Sequence, residues 1–276
     1  VVPSITTILK AEAKPALQQW VADQTAAYAV ANLDKLYQST PEKGWGFLRY
    51  FWNRNPGDPL SKSTDLTDYH KGVLSDAADL GTAVHEWMQA DATGISPFPD
   101  VTNLNEKFWE CVGAWNTFRS EHTIKPHWTE HTVWSDEIPG LEYAGTFDCF
   151  WEIDGELCLI DIKTSRGLYS STWMQLAALY KAPILLADGP AGVDLQIRNW
   201  QTAVEKVKVI HIRPTDQDHR GNHMPAFCKM VDVPGDLDSH FKSFMGLRQY
   251  LQGQRELTLV ENALAKEAKA SQTSEQ

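Results

Sequence analysis

The chain has 276 residues, 42% hydrophobic and 22% charged, proportions of a soluble globular protein with a sizeable buried interior. A net charge of −11 excludes a protein that coats DNA along its length, because phosphate neutralisation needs clustered Lys and Arg, but it leaves room for an enzyme with a local basic channel. No stretch approaches the roughly 20 apolar residues that cross a bilayer, Val1–Thr7 lacks the basic and apolar regions of a signal peptide, and Cys111, Cys149, Cys158 and Cys228 form no CxxC pair. These features point to a cytoplasmic protein with reduced, buried thiols, and disfavour a membrane partner and a zinc or iron–sulfur site.

In chain order, residues from Pro3 to about Leu36 read as a short cap and then helix, with Trp20, Val21, Ala27 and Tyr28 near helical spacing. The stretch 38–75 is broken by Pro41, Gly44, Pro56, Gly57 and Pro59 around an aromatic run, Trp45 to Trp52. Core packing is the favoured reading of that run, against a lid or a partner-facing patch. A second helix is expected from Ser75 or Asp76 through Met88, and a third from Leu104 to Ser120 with Phe108, Val112, Trp115 and Phe118 on one side. Strand-like segments follow at 129–134, 144–153 and 156–163. A helix at 171–181, a strand at 207–213, a strand at 226–233 and a helix at 237–251 complete the pattern. The end, 261–276, reads as a solvated helix or frayed tail. The expectation is an α/β core with a mixed sheet, as one domain over 1–255: a helical part to about 125, a core from 126 to 255, and a tail at 256–276. No Gly-rich phosphate loop interrupts it, which lowers nucleotide-binding readings.

The informative segment runs from Gly145 to Thr164. Asp154 and Gly155 are a strong signal for a two-residue type I′ turn, whose central positions both need positive φ. With those two residues as the loop, Ile153 pairs with Glu156, and counting outward brings Asp148 opposite Asp161. Directly paired residues share a face, with Cβ atoms about 4.5–5.5 Å apart. Lys163 shares that face, roughly 6.6 Å further along. Like charges opposite each other destabilise a sheet, unless a divalent cation sits between them. The ordinary reading of an Asp-x-Lys is an ion pair on a solvated face. Here Leu157 to Ile160 and Ile162 form a nearly continuous apolar run, the mark of a strand buried on both sides, so charges at its end need a reason. A metal with a neighbouring ammonium suits phosphodiester hydrolysis.

At these residues the sequence resembles the PD-(D/E)XK nuclease superfamily, specifically its RecB-like branch and the phage-encoded exonucleases within it. Gly81 to His85 looks like the GxxxH helix motif, Gly145 to Asp148 like the GxxD strand, and Asp161 to Thr164 like the D-x-K-T strand. Gln175 looks like the start of the QxxxY helix, and Glu130 stands where a glutamate often precedes the hairpin. Pro3 to Leu9, with Trp20 downstream, is also similar to phage members. The likeness runs from about Pro3 to Leu251.

The resemblance implies a restriction-endonuclease-like core, a central mixed sheet flanked by helices, with an N-terminal helical elaboration. It implies a metal site of His85, Asp148, Asp161 and the Ile162 carbonyl holding one or two Mg²⁺ or Mn²⁺ ions, with catalysis by Asp148, Asp161 and Lys163. Gln175 would hold the site's geometry or contact DNA. Of the basic groups Lys163, Arg166, Lys181, Arg198 and Arg213, Arg166 is the one expected to bind substrate, since it directly follows the D-x-K-T strand. Two departures stand out. Tyr180 is five residues after Gln175 rather than four, about 140° around the helix, so packing is favoured for it over a site role. The cysteine set of the iron–sulfur members is missing, and no cluster is expected. The implied activity is metal-dependent hydrolysis of DNA by an exonuclease of phage recombination or replication, in the host cytoplasm. A single-strand-annealing or recombination protein is a candidate partner, and oligomer formation is left open. The alternatives are a non-catalytic nucleic-acid-binding accessory protein and an endonuclease of the same fold.

Overall fold

The computed structural model describes residues 2–12, 14–31, 69–94, 105–188, 194–218 and 220–274. The aromatic run 45–52 lies outside them. The chain divides into two compact units, Val1–Glu12 with Ala83–Gln276, and Ala13–Thr82. In the smaller unit, helix α2 (Pro15–Ala31) has no fully buried side chain among those described. Helix α3 (Tyr69–Thr93) begins there, six residues before the earliest expected start. Ser75 and Asp76 are N-cap residue types, but the helix runs through both.

The larger unit is built on a seven-stranded mixed sheet flanked by helices, an α/β arrangement. Its strands are β1 (Ile124–Ser135), β2 (Tyr143–Ile153), β3 (Glu156–Lys163), β4 (Ile184–Asp188), β5 (Asp194–Arg198), β6 (Lys206–Arg213) and β9 (Phe227–Asp232). They lie in the order β5-β4-β1-β2-β3-β6-β9, and the β3–β6 pairing is parallel. A two-residue pair, β7 (Asp216–Gln217) and β8 (His223–Met224), forms a separate small ribbon.

Why β2 and β3 carry unbroken apolar runs is visible in their packing. Phe150 and Leu159 join one buried cluster with Ile5 and Ile8 of α1 (Ile5–Leu9), Met174 and Leu179 of α5 (Ser170–Lys181), and Phe244 of α6 (Leu237–Ser274). Trp151 alternates to the other face, where its ring lies 6.4 Å from Trp115 of α4 (Glu106–Glu121). Both faces are therefore covered. Ser4 and Asn105 supply N-caps, accepting from the N–H groups of Thr7 and Phe108 at 3.1 and 3.3 Å. Gly145 is needed for close approach: a Cβ there would fall 2.5 Å from Ile5 Cδ1 and 3.2 Å from Leu179 Cδ2.

The expected single N-terminal helix is two, since α1 ends at Leu9 and α2 starts at Pro15. Strands β4 and β5 were not expected from the sequence. The last helix does not stop near Leu251 but continues to Ser274, and its described residues from Gln254 to Lys266 are exposed. Among the described residues no helix is long and apolar enough to cross a membrane.

Candidate active site

The hairpin turns where its sequence demands. Asp154 and Gly155 have φ of 53° and 89°, and β2 pairs with β3 from Ile153↔Glu156 to Cys149↔Ile160. The backbone ladder stops there, one position short of Asp148 and Asp161. Beyond that point the Asp148 side chain takes over, its Oδ2 accepting from the Ile162 N–H at 2.7 Å. β3 continues alongside β6 instead, with Asp161 beside Val209 and Lys163 beside His211. The two acids thus stand where β2 and β3 part company.

Asp161 is fully buried, and apart from the Lys163 ammonium, ion-paired to its Oδ2, neither of its oxygens has a hydrogen-bond donor among the described residues. That is a costly state for a carboxylate. Burial, and then the charge of Asp161, push the Asp148 carboxyl well above the ordinary carboxylate range. Burial works against the Lys163 ammonium, but Asp161 and then Asp148 outweigh it, so its pKa rises and it stays protonated. Lys163 is accordingly a charge donor here, not a proton acceptor.

His85 comes from α3, on a turn whose Val84 and Met88 are buried. Its Nδ1 lies 3.7 Å from Asp148 Oδ2, too far for a hydrogen bond. Burial pushes its pKa down to about 4, against opposing pulls from Asp161 and the Ile162 backbone. The imidazole is neutral at neutral pH and keeps a lone pair to offer. One imidazole, two carboxylates and an ammonium from α3, β2 and β3 therefore meet, and the Ile162 backbone faces the same space.

As placed, no three His, Cys, Asp or Glu side chains among the described residues stand close enough to hold a metal ion. The donor chemistry nonetheless fits a divalent cation. Two carboxylates, a carbonyl and a neutral imidazole are the ligands that Mg²⁺ or Mn²⁺ accepts, and Asp161 lacks a donor that a cation would replace. Lys163 engages Oδ2 of Asp161, while its Oδ1 has no hydrogen-bond partner among the described residues and would be open to such an ion.

The remaining candidates are placed differently. Gln175 is half-buried on α5 and makes no hydrogen bond among the described residues. Arg166 is ion-paired with Asp216 at 3.5 Å and donates to the Gln217 carbonyl, so it ties the end of β3 to β7. Lys181, Arg198 and Arg213 are each paired with an acid, Asp238, Asp136 and Asp216 respectively. Tyr180 packs against the core. Glu130 accepts from Gln89 Nε2 at 2.8 Å, and its charge reaches Asp148. The four cysteines are free, three of them buried.

Two supports were not anticipated. His211 Nε2 is 2.8 Å from the Ser165 carbonyl, and Arg213 Nη1 donates to the Thr164 carbonyl at 2.7 Å, so β6 braces the segment that follows Lys163. Their role depends on β6 lying next to β3, which no local pattern announces. Gln89 carried a readable signal, since it stands four residues after His85 on one helical face. Comparison with protein-family models and with curated proteins finds no match to this chain.

Proposed function

We propose that this protein is a Mg²⁺- or Mn²⁺-dependent deoxyribonuclease, an exonuclease with the restriction-endonuclease-like core of the RecB-like nucleases. One observation carries the reading: Asp161, fully buried and balanced among the described residues by Lys163 alone, close to Asp148 and His85. A protein keeps so poorly compensated a carboxylate where a cation supplies the missing partner. His85, Asp148, Asp161 and the Ile162 carbonyl would hold the ion. When bound, it supplies Lewis-acid polarisation of the phosphoryl oxygen and a lowered pKa for attacking water.

The chain's own contribution is placement and charge. Lys163, fixed as an ammonium, stabilises negative charge developing on the phosphoryl group and orients water near it. Asp148 accepts from the Ile162 N–H and so fixes the peptide that links Asp161 to Ile162. His211 and Arg213 hold the backbone just past Lys163, which keeps the ammonium's strand in register.

The test is degradation of end-labelled linear DNA with Mg²⁺, Mn²⁺ or EDTA, by wild type, Asp161→Ala and Lys163→Ala. The expected result is cleavage by wild type only with metal, and a loss of at least about 10²-fold in each variant. Equal degradation by all three would defeat the assignment. Survival of closed circular DNA under the same conditions separates an exonuclease from an endonuclease.

A further inference from the structure

Glu130 sits inside β1, between Thr129, which pairs with Cys149, and His131, which pairs with Phe147. That register places it opposite Asp148. Its φ is 55°, a left-handed backbone that few residues other than Gly, Asn and Asp adopt, in the middle of a strand. The side chain is exposed, yet it is engaged: Gln89 Nε2 donates to its Oε1 at 2.8 Å across 41 residues of sequence. Gln89 stands one turn beyond His85 on α3. The bond therefore ties the helix that carries the imidazole to the strand that faces the carboxylate.

Resting on the metal-site reading above, we propose that Gln89 and Glu130 are a positioning pair that sets the span between His85 and Asp148. The neighbouring contacts explain why such a tie is needed. Asp91, two residues after Gln89, is bound by Trp115 Nε1 at 2.8 Å and by Arg119 at 2.7 Å, which fastens α3 to α4. Those bonds do not reach β2. Gln89 to Glu130 joins this part of α3 to β1, on the side of the sheet's Asp148 strand that the Ile162 contact of His85 does not reach. Placing a second carboxylate opposite Asp148 disfavours the strand pairing, and the left-handed backbone disfavours it further. A bond that only fastened helix to sheet would need neither feature, since an amide acceptor on a regular strand serves as well.

The pair acts through His85, so its measure is metal affinity and not stability. Calorimetric titration of Mn²⁺ into the full chain compares wild type with Gln89→Leu, Glu130→Ala, Glu130→Gln, His85→Ala, and Gln89→Leu combined with His85→Ala. Groups that orient a ligand change affinity by about tenfold or more when removed. Gln89→Leu and Glu130→Ala are each expected to weaken Mn²⁺ by about that factor. Glu130→Gln keeps a carbonyl acceptor for the Gln89 amide and is expected to stay within about threefold of wild type. Gln89→Leu should add nothing further once His85 is removed. Because the bond is cut from either side, one folded variant of the two suffices. Wild-type affinity in both would overturn the proposal. So would an equal loss in Glu130→Gln and Glu130→Ala, which would make the charge of Glu130 the acting element. If wild type binds no Mn²⁺ at all, the metal site itself falls, a result distinct from binding that ignores the pair.

Discussion

The two ends of the β2–β3 hairpin carry the same residue type in opposite states. At the turn, Asp154 is 49% exposed, accepts from the Thr123 N–H at 2.8 Å and meets His122 Nδ1 at 2.6 Å. His122 and the Thr123 amide pull its carboxyl below the ordinary range. At the open end, Asp148 is 14% exposed with one amide donor, and burial pushes its carboxyl far above that range. Asp148 and Asp154 are the same residue type six positions apart on one side of the hairpin, so residue type cannot account for the contrast. Donor supply does. A carboxylate with partners in solvent helps hold a turn, and one without them in the interior weakens the fold for another purpose.

The largest test of this contrast removes the ammonium that pairs with Asp161 at the open end. Lys163→Met leaves Asp161 buried and unbalanced beside Asp148. In EDTA at pH 8, urea unfolding should show a loss of about 3–5 kcal/mol, the range for breaking a buried pair from one side. Adding Asp161→Asn to that variant should recover most of it, because the uncompensated charge goes too. A single-variant loss under about 1 kcal/mol would place Lys163 among ordinary surface pairs and erase the distinction between the two ends.

A second test uses pH. The folded-state pKa of Asp148 lies above its ordinary 3.8. Between those values the folded chain keeps a proton that the unfolded chain has released. The group's contribution is thus fully present below 3.8 and is lost as pH rises toward the folded value. Asp148→Asn retains an acceptor for the Ile162 N–H and has nothing to ionise. Without metal, its stability relative to wild type should rise from pH 5 to pH 8 by at least about 1 kcal/mol, the worth of one pKa unit. Saturating Mn²⁺ should narrow that gap by stabilising wild type alone. A flat difference across this range would mean that Asp148 is not strained by burial.

How much of this was legible depended on whether the cause was local. The type I′ turn was readable because positive φ at two adjacent positions selects Asp and Gly, and the register from Ile153↔Glu156 outward followed from it. Burial of β3 on both faces was readable from its unbroken apolar run. Strand β5 did carry a signal that went unused, Asp194, Gln196 and Arg198 alternating with Leu195 and Ile197. The 5-residue strand β4 was not readable, since Ile184 to Ala187 is a short apolar run that periodicity cannot tell from a helix segment. Nor was the neighbour relation of β3 and β6, which rests on a crossover through α5, β4 and β5. That relation decides what holds the backbone after Lys163, so the braces at His211 and Arg213 stayed hidden. The left-handed backbone of Glu130 was equally invisible, because nothing in a Glu flanked by Thr129 and His131 demands it. Arg166 shows the limit of adjacency: following the D-x-K-T strand placed it near the site in sequence, but Asp216 and the Gln217 carbonyl engage it.

The smallest test concerns the turn itself, and its sign is opposite. The folded-state pKa of Asp154 lies below 3.8, so its contribution is present above that value and disappears as pH falls through the folded one. Asp154→Asn tolerates the φ of 53° and can still accept from the Thr123 N–H, but it loses the charge that faces His122. Thermal unfolding should therefore show a small deficit for the variant at pH 6 that narrows as pH falls below 3.8 toward the folded value of Asp154. Salt should shrink the deficit as well, since the pair is exposed. The direction matters more than the size: a deficit that grew on acidification would make the turn aspartate behave like Asp148, and donor supply would no longer explain why two aspartates of one hairpin hold their protons so differently.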